Sequence, residues 1–208
     1  MADAARLRFS GLWHRLGARG AGDAVFDRLA EAYGGPGRVY HTLEHVRDCL
    51  ALLDEAEVAA SERDPIEAAI WLHDVFYDSR RRDNEERSAE WAEQTLSAAG
   101  VPSGTAARVA QLIRMTDHSS PPSDAGGQLL CDVDLAVLGR DQAEFDEYQR
   151  RIREEYGWVS DPLYRVGRAR VLSGFADRPW IYLTQRFRDR YEAAARANLH
   201  RALAGLQG

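Results

Sequence analysis

The residues best equipped for chemistry in this chain are histidines and aspartates set in apolar surroundings. Tyr40-His41-Thr42-Leu43-Glu44-His45 puts two imidazoles at i and i+4, on one face of a helix if the segment is helical. Ala68-Ala69-Ile70-Trp71-Leu72 runs directly into His73-Asp74, and Leu129-Leu130-Cys131-Asp132-Val133-Asp134-Leu135 holds two carboxylates inside another apolar segment. Ionisable groups there are costly to bury unless something compensates them, and a bound cation is the usual compensation. Imidazoles with carboxylates suit Mn²⁺, Fe²⁺, Co²⁺, Ni²⁺ or Zn²⁺ better than Ca²⁺, which prefers all-oxygen shells; Mg²⁺ is less favoured but not excluded. Such an ion would lower the pKa of a bound water toward neutrality and polarise a phosphoryl oxygen. The chain reads as a metal-centred helical protein.

The elements that must position these groups read as helices. Leu7, Leu12, Trp13 and Leu16 predict a first helix, ended by the glycine-rich stretch 17–22, and Val25, Phe26, Leu29, Ala30 and Tyr33 a second, stopped by Gly34-Gly35-Pro36-Gly37. A third is expected to carry His41, His45, Cys49, Leu52 and Leu53, and Asp64-Pro65 has the character of an N-cap and first turn for the helix ending near His73-Asp74. Residues 77–84 form a polar, Arg-rich loop. Segments 85–99 and 103–116 read as a helical hairpin broken at Gly100-Val101-Pro102, and 119–127 as a loop. Further helices are expected over 129–138, 142–156, 161–175 and 184–206. With no convincing alternating strand, repeat or linker, the expectation is one all-α domain spanning 1–208.

Composition bounds the function. The 208 residues are 45% hydrophobic and 29% charged, the balance of an ordinary globular protein, and the net charge of −6 argues against a general nucleic-acid surface. All 27 basic side chains are Arg, so a P-loop lysine and a Schiff-base lysine are both excluded. Cys49 and Cys131 read as buried, reduced thiols rather than a disulfide framework. No signal peptide or apolar run of membrane-spanning length is evident, which makes the expectation a cytoplasmic protein without a membrane partner.

Taken in order, these motifs resemble the HD superfamily of metal-dependent phosphohydrolases, named for its adjacent His-Asp pair. The resemblance implies an HD-type helical bundle whose metal ligands come from separate helices: His45, His73, Asp74 and Asp134, with Asp74 placed to bridge a second ion should one bind. Tyr-His-x-x-x-His is similar to the start of the cyclic-nucleotide phosphodiesterase catalytic domain, where the first His donates a proton and the second binds metal. That similarity implies a proton-donor role for His41 beside the catalytic carboxylates Asp74 and Asp134. The chain also resembles a family of small bacterial proteins described only as predicted HD phosphohydrolases, from about Leu7 to Leu203, most strongly over 38–88 and 129–139. The family's distal Asp precedes an apolar residue; Asp134-Leu135 is preferred, while Asp132-Val133 matches almost as well and stays open. On a helix the two carboxylates point about 200° apart, so they do not share one ion.

Several neighbours carry two readings. Arg80, Arg81 and Arg82 are candidates for binding a phosphate through forked hydrogen bonds, or are a solvated run. His118 is a second-metal ligand, a phosphate contact or a solvated helix end. Asp78, Asn84, Glu85 and Asp132 are expected to support the ligands, and His14 and His200 to lie on the surface. The expected activity is metal-activated hydrolysis of a phosphoester, probed best by nucleotides and other small phosphorylated metabolites, with a homodimer left open. The alternatives are an HD-type di-iron oxygenase, which generally needs more His ligands, and a non-catalytic nucleotide-binding module. A ferritin-like di-iron bundle is weaker still, because no His has Glu three residues before it.

Overall fold

Helix periodicity in the sequence becomes helix almost throughout the computed structural model, which describes residues 2–20 and 22–207; among these there is no strand, and the fold is all-α. The chain divides into two compact units, Met1–Leu130 and Cys131–Gly208.

The first unit contains α1 (Ala2–Arg15), α2 (Asp23–Tyr33), α3 (Leu43–Glu55), α4 (Ala60–Leu72), α5 (Asn84–Ala98) and α6 (Ser103–Met115), and α7 (Ala125–Asp134) begins in it. Its core centres on Trp71 of α4, fully buried, with Phe9 and Phe26 meeting its indole edge-on at 5.5 and 6.0 Å between centroids. Such tilted contacts suit the ring quadrupoles. α4 is also held through buried Glu67, which takes Arg8 and Arg15 of α1 at 2.7 Å each. Burying a carboxylate is costly unless it is paired in this way.

Three boundaries differ from the sequence expectation, the first being α7, which starts at Ala125 inside the loop expected over 119–127. α3 begins at Leu43, not before His41, because Thr42 is its N-cap: its backbone is extended and its hydroxyl accepts from Glu44 N at 3.3 Å. α4 begins at Ala60, so Pro65 lies inside the helix. The turn ahead of the proline is held from outside: Arg63 donates to Leu53 O and Asp54, and Asp64 accepts from Arg15. These bonds offset the one the proline cannot make.

In the second unit a 3-10 turn (Leu135–Gly139) follows α7, then α8 (Gln142–Glu155), α9 (Asp161–Ala176), the single turn α10 (Gln185–Phe187), a π turn (Arg188–Glu192) and α11 (Ala193–Gln207). The expected last helix over 184–206 is therefore interrupted by the π turn. That turn buries Tyr191 and Glu192, and Glu192 accepts from the backbone N–H groups of Ile181 and Tyr182 at 3.1 Å. Gly139 lets the chain pass this turn closely, since a Cβ there would lie 2.6 Å from Tyr191 Cβ and 2.7 Å from its carbonyl oxygen.

Candidate metal centre

Three expected ligands converge in the first unit. His45, His73 and Asp74 are all buried, and each offers a ligand atom within 4.8 Å of the other two. His45 sits in the first turn of α3, and His73 caps the end of α4, where its N–H continues the helix by donating to Ala69 O at 2.9 Å. The two imidazoles approach edge to face, 5.4 Å between centroids.

The hydrogen bonding of His73 fixes what its ring presents. Nδ1 lies 3.0 Å from Ile70 O, and a carbonyl only accepts, so Nδ1 carries a proton. In a neutral ring Nε2 then presents a lone pair, and it lies 3.0 Å from Asp74 Oδ2. Two buried acceptors at that separation require a cation to bridge them, either a proton or a metal ion. A carbonyl behind the distal ring nitrogen is also the usual support of a metal-binding histidine. For Asp74, burial works to raise the carboxyl, but His73, His41 and His45 outweigh it and hold the group well below the usual carboxylate range. The donor set is two imidazoles and a carboxylate in an enclosed setting, which fits a borderline transition-metal ion.

A guanidinium that the motif does not mention ties this cluster together. Arg38 donates to Asp74 O at 2.6 Å, Val75 O at 3.0 Å and His41 O at 3.1 Å, joining the turn before α3 to the turn after α4. Its guanidinium lies over the rings of Tyr33 and Tyr77, at 5.1 and 5.6 Å. Tyr33, fully buried, donates its hydroxyl to Trp71 O at 3.0 Å and braces the same end of α4. Behind His45, buried Cys49 places its sulfur 3.8 Å from both ring nitrogens, so the thiol packs on the ring without favouring either lone pair. Cys49 and Cys131 are both buried, and neither is in a disulfide.

His41 stands beside the cluster, outside the group of three. It is half-buried in the turn ahead of α3 and stacks on Tyr77 at 3.9 Å between centroids, with its ring 6.2 Å from that of His45.

The segment after the His-Asp pair is held by α5. Asn84 accepts from Asp78 N and donates to Asp78 O, both at 3.1 Å, and one turn later Ser88 accepts from Phe76 N and donates to Phe76 O. Two side chains at i and i+4 thus pair with the backbone of alternate residues, as a neighbouring strand would. Asp78 accepts from Arg80 N at 2.9 Å, shaping the loop. Asp78 and Asn84 support the site by fixing this backbone. Glu85 is part-buried: burial raises its carboxyl, its own backbone N–H lowers it, and Asp74 and Asp117 raise it further while His118 lowers it.

The arginine run 80–82 is exposed, and Arg81 is engaged with Asp83 through two bonds of 2.7 and 2.6 Å. His118 is half-buried and adopts φ of 54°, a left-handed backbone uncommon outside glycine. His14 and His200 are exposed.

The two distal aspartates belong to the second unit and differ in role there. Asp132 is fully buried and accepts from Leu183 N, Thr184 N and Thr184 Oγ1 at 2.6, 2.7 and 2.6 Å, anchoring the segment that leads into α10. Burial raises its carboxyl against the lowering effect of these donors. Asp134 is half-buried at the last position of α7. No family model, curated protein or solved structure matches the chain.

Proposed function

We propose that the chain is a metal-dependent phosphohydrolase acting on a nucleotide or another small phosphorylated metabolite. One observation carries the proposal: a buried imidazole nitrogen and a buried carboxylate oxygen face each other at 3.0 Å, with His45 completing a three-donor group. His45, His73 and Asp74 are the residues that would hold the ion, and Asp134 enters as fourth ligand from the motif order in the sequence alone. When bound, the ion supplies a Lewis acid and an activated water.

The protein's own groups divide the remaining tasks. Asp74, a buried carboxylate beside His73 and His45, would neutralise part of the ion's charge. His73 is locked as the Nδ1–H tautomer by Ile70 O, which leaves Nε2 for coordination. His41, oriented by Tyr77 and outside the three-donor group, is the proton donor to the leaving oxygen. Arg82 is an exposed cation for a substrate phosphate, whereas Arg81 would first have to leave Asp83.

The test is a screen of phosphomonoesters, cyclic nucleotides and nucleotides with Mn²⁺, Co²⁺, Ni²⁺, Zn²⁺ or Mg²⁺. Release of phosphate or a nucleoside monophosphate supports the proposal. A tightly bound iron pair with oxygen uptake and no phosphoester cleavage would replace it with an oxygenase.

A further inference from the structure

We infer that the second unit carries an oxyanion site of phosphate size, centred on Arg168 between α8 and α9. Arg168 is half-buried, and its Nε and Nη2 both donate to Gln149 Oε1, at 2.8 and 2.6 Å. The fork that would ordinarily clasp a carboxylate therefore holds the neutral oxygen of an amide. Arg8, Arg63, Arg108 and Arg153 are half-buried too, and each has a carboxylate oxygen at 2.6 Å. No carboxylate among the described residues pairs with Arg168.

The other neighbours of Arg168 are phenols. Its guanidinium lies 5.1 Å from the ring centroid of Tyr148 on α8. Tyr164 stands one turn before Arg168 on the same face of α9. The Tyr164 ring is 6.3 Å from that of Tyr156 between centroids and carries Arg153 over it at 4.6 Å. Arg153 has its own counter-charge, since Nη2 donates to exposed Asp161 at 2.6 Å. Burial works against the Arg168 charge, while Tyr148, Tyr164 and Tyr156 support it from α8, α9 and the connection between them. Un-ionised phenols offer dipoles and hydroxyl protons, not a counter-charge.

A half-buried cation without a counter-ion is a costly arrangement, and a bound anion removes that cost. Gln149 takes only the Nε–Nη2 side of the guanidinium, so protons remain on its Nη1 edge. A planar carboxylate would be met by that edge alone, whereas a tetrahedral oxyanion can also take hydroxyl protons from outside the guanidinium plane. Phosphate, free or esterified, is therefore the ligand. Two or three charge-assisted hydrogen bonds, less the cost of immobilising the ion, give a dissociation constant on the order of 1 mM. The inference stands apart from the metal centre, because every group in it belongs to the second unit.

The test uses the full chain, free of metal, and inorganic phosphate at constant ionic strength, followed by NMR through the arginine Nε–H resonances. The Arg168 resonance is identified by its absence from Arg168→Met. In the parent it should shift saturably with a midpoint on the order of 1 mM, and chloride at the same ionic strength should not move it. Gln149→Glu keeps the shape of the side chain and places a carboxylate in the occupied fork. That variant should melt no earlier than the parent and bind phosphate at Arg168 at least about tenfold more weakly. No saturable shift in the parent up to roughly 20 mM phosphate overturns the inference. So does a folded Gln149→Glu protein whose Arg168 resonance titrates as the parent's does.

Discussion

Replacing Arg38 should damage the metal centre from a position outside the ligand set. Its guanidinium donates to three carbonyl groups, those of His41, Asp74 and Val75, across two segments that carry the ligands. Hydrogen bonds from a charged donor contribute about 1.5–3 kcal/mol each, and leaving a buried acceptor unmatched costs a comparable amount. Arg38 is half-buried, so water can reach part of what Arg38→Met exposes. We therefore take the lower end for each bond and expect a net loss of about 4.5 kcal/mol, or a melting temperature lower by roughly 9–18 °C. Freed from the strut, His45 and His73 should also hold a metal ion about 10–100-fold less tightly, the usual cost of losing a group that orients a ligand. Thermal unfolding of the metal-free protein reads the first effect, and calorimetric titration with Zn²⁺ or Mn²⁺ the second. Arg38→Lys, with the charge but not the planar fork, should fall between. If Arg38→Met melts within about 1 °C of the parent and binds metal equally well, the strut argument is wrong.

Four further outcomes are expected. His41→Gln should retain metal but lose turnover by about a hundredfold or more, and loss of metal instead would make His41 a ligand. Asp132→Ala should lower stability by several kcal/mol without depleting metal, because three donors from Leu183 and Thr184 lose one buried acceptor, whereas Asp134→Asn should deplete metal; the reverse metal pattern would exchange their assignments. Asn84→Ala and Ser88→Ala should each cost about 1–2 kcal/mol in denaturant unfolding, and no effect from either would remove the backbone anchor after the His-Asp pair. The hydrogen bond from Arg108 holds the Asp124 carboxyl below its ordinary value, so its contribution is present above pH of about 4 and lost as pH falls through the lowered native value. The stability gap between the parent and Asp124→Asn should therefore narrow on acidification, and a gap that widens contradicts the pairing.

Much of this architecture was legible because it rests on periodic apolar residues. The breaks at 34–37 and 100–102 fall between helices as their glycines and prolines predicted, and Gln142–Glu155 and Asp161–Ala176 match their segments to within a residue, whereas the loop expected over 119–127 is cut short because α7 starts at Ala125 and takes in Gly126 and Gly127. The meeting of His45 with His73-Asp74 was legible for a different reason, the cost of ionisable groups in apolar runs. The remainder depended on partners that leave no pattern in sequence. Arg38 bonds only backbone carbonyls, so nothing in its neighbours' identities marks it. Asn84 and Ser88 likewise read the backbone of 76 and 78, although their i, i+4 spacing on α5 was a usable hint. His41 fell outside α3 because one hydroxyl, that of Thr42, captured the helix start. Pro65 was absorbed into α4 by ion pairs from α1 and α3, contacts distant in sequence. The π turn at 188–192 reflects burial of Tyr191 and Glu192, which local propensity does not encode.

The central claim is that His45, His73 and Asp74 hold a metal ion. Elemental analysis of the purified protein, after equilibration with a mixture of divalent transition metals and removal of free ion, tests it most directly. The account predicts a stoichiometric ion in the parent and its near-complete loss in both His73→Ala and Asp74→Ala. Full occupancy in both variants, or a folded parent that retains no ion under any of these conditions, would contradict it.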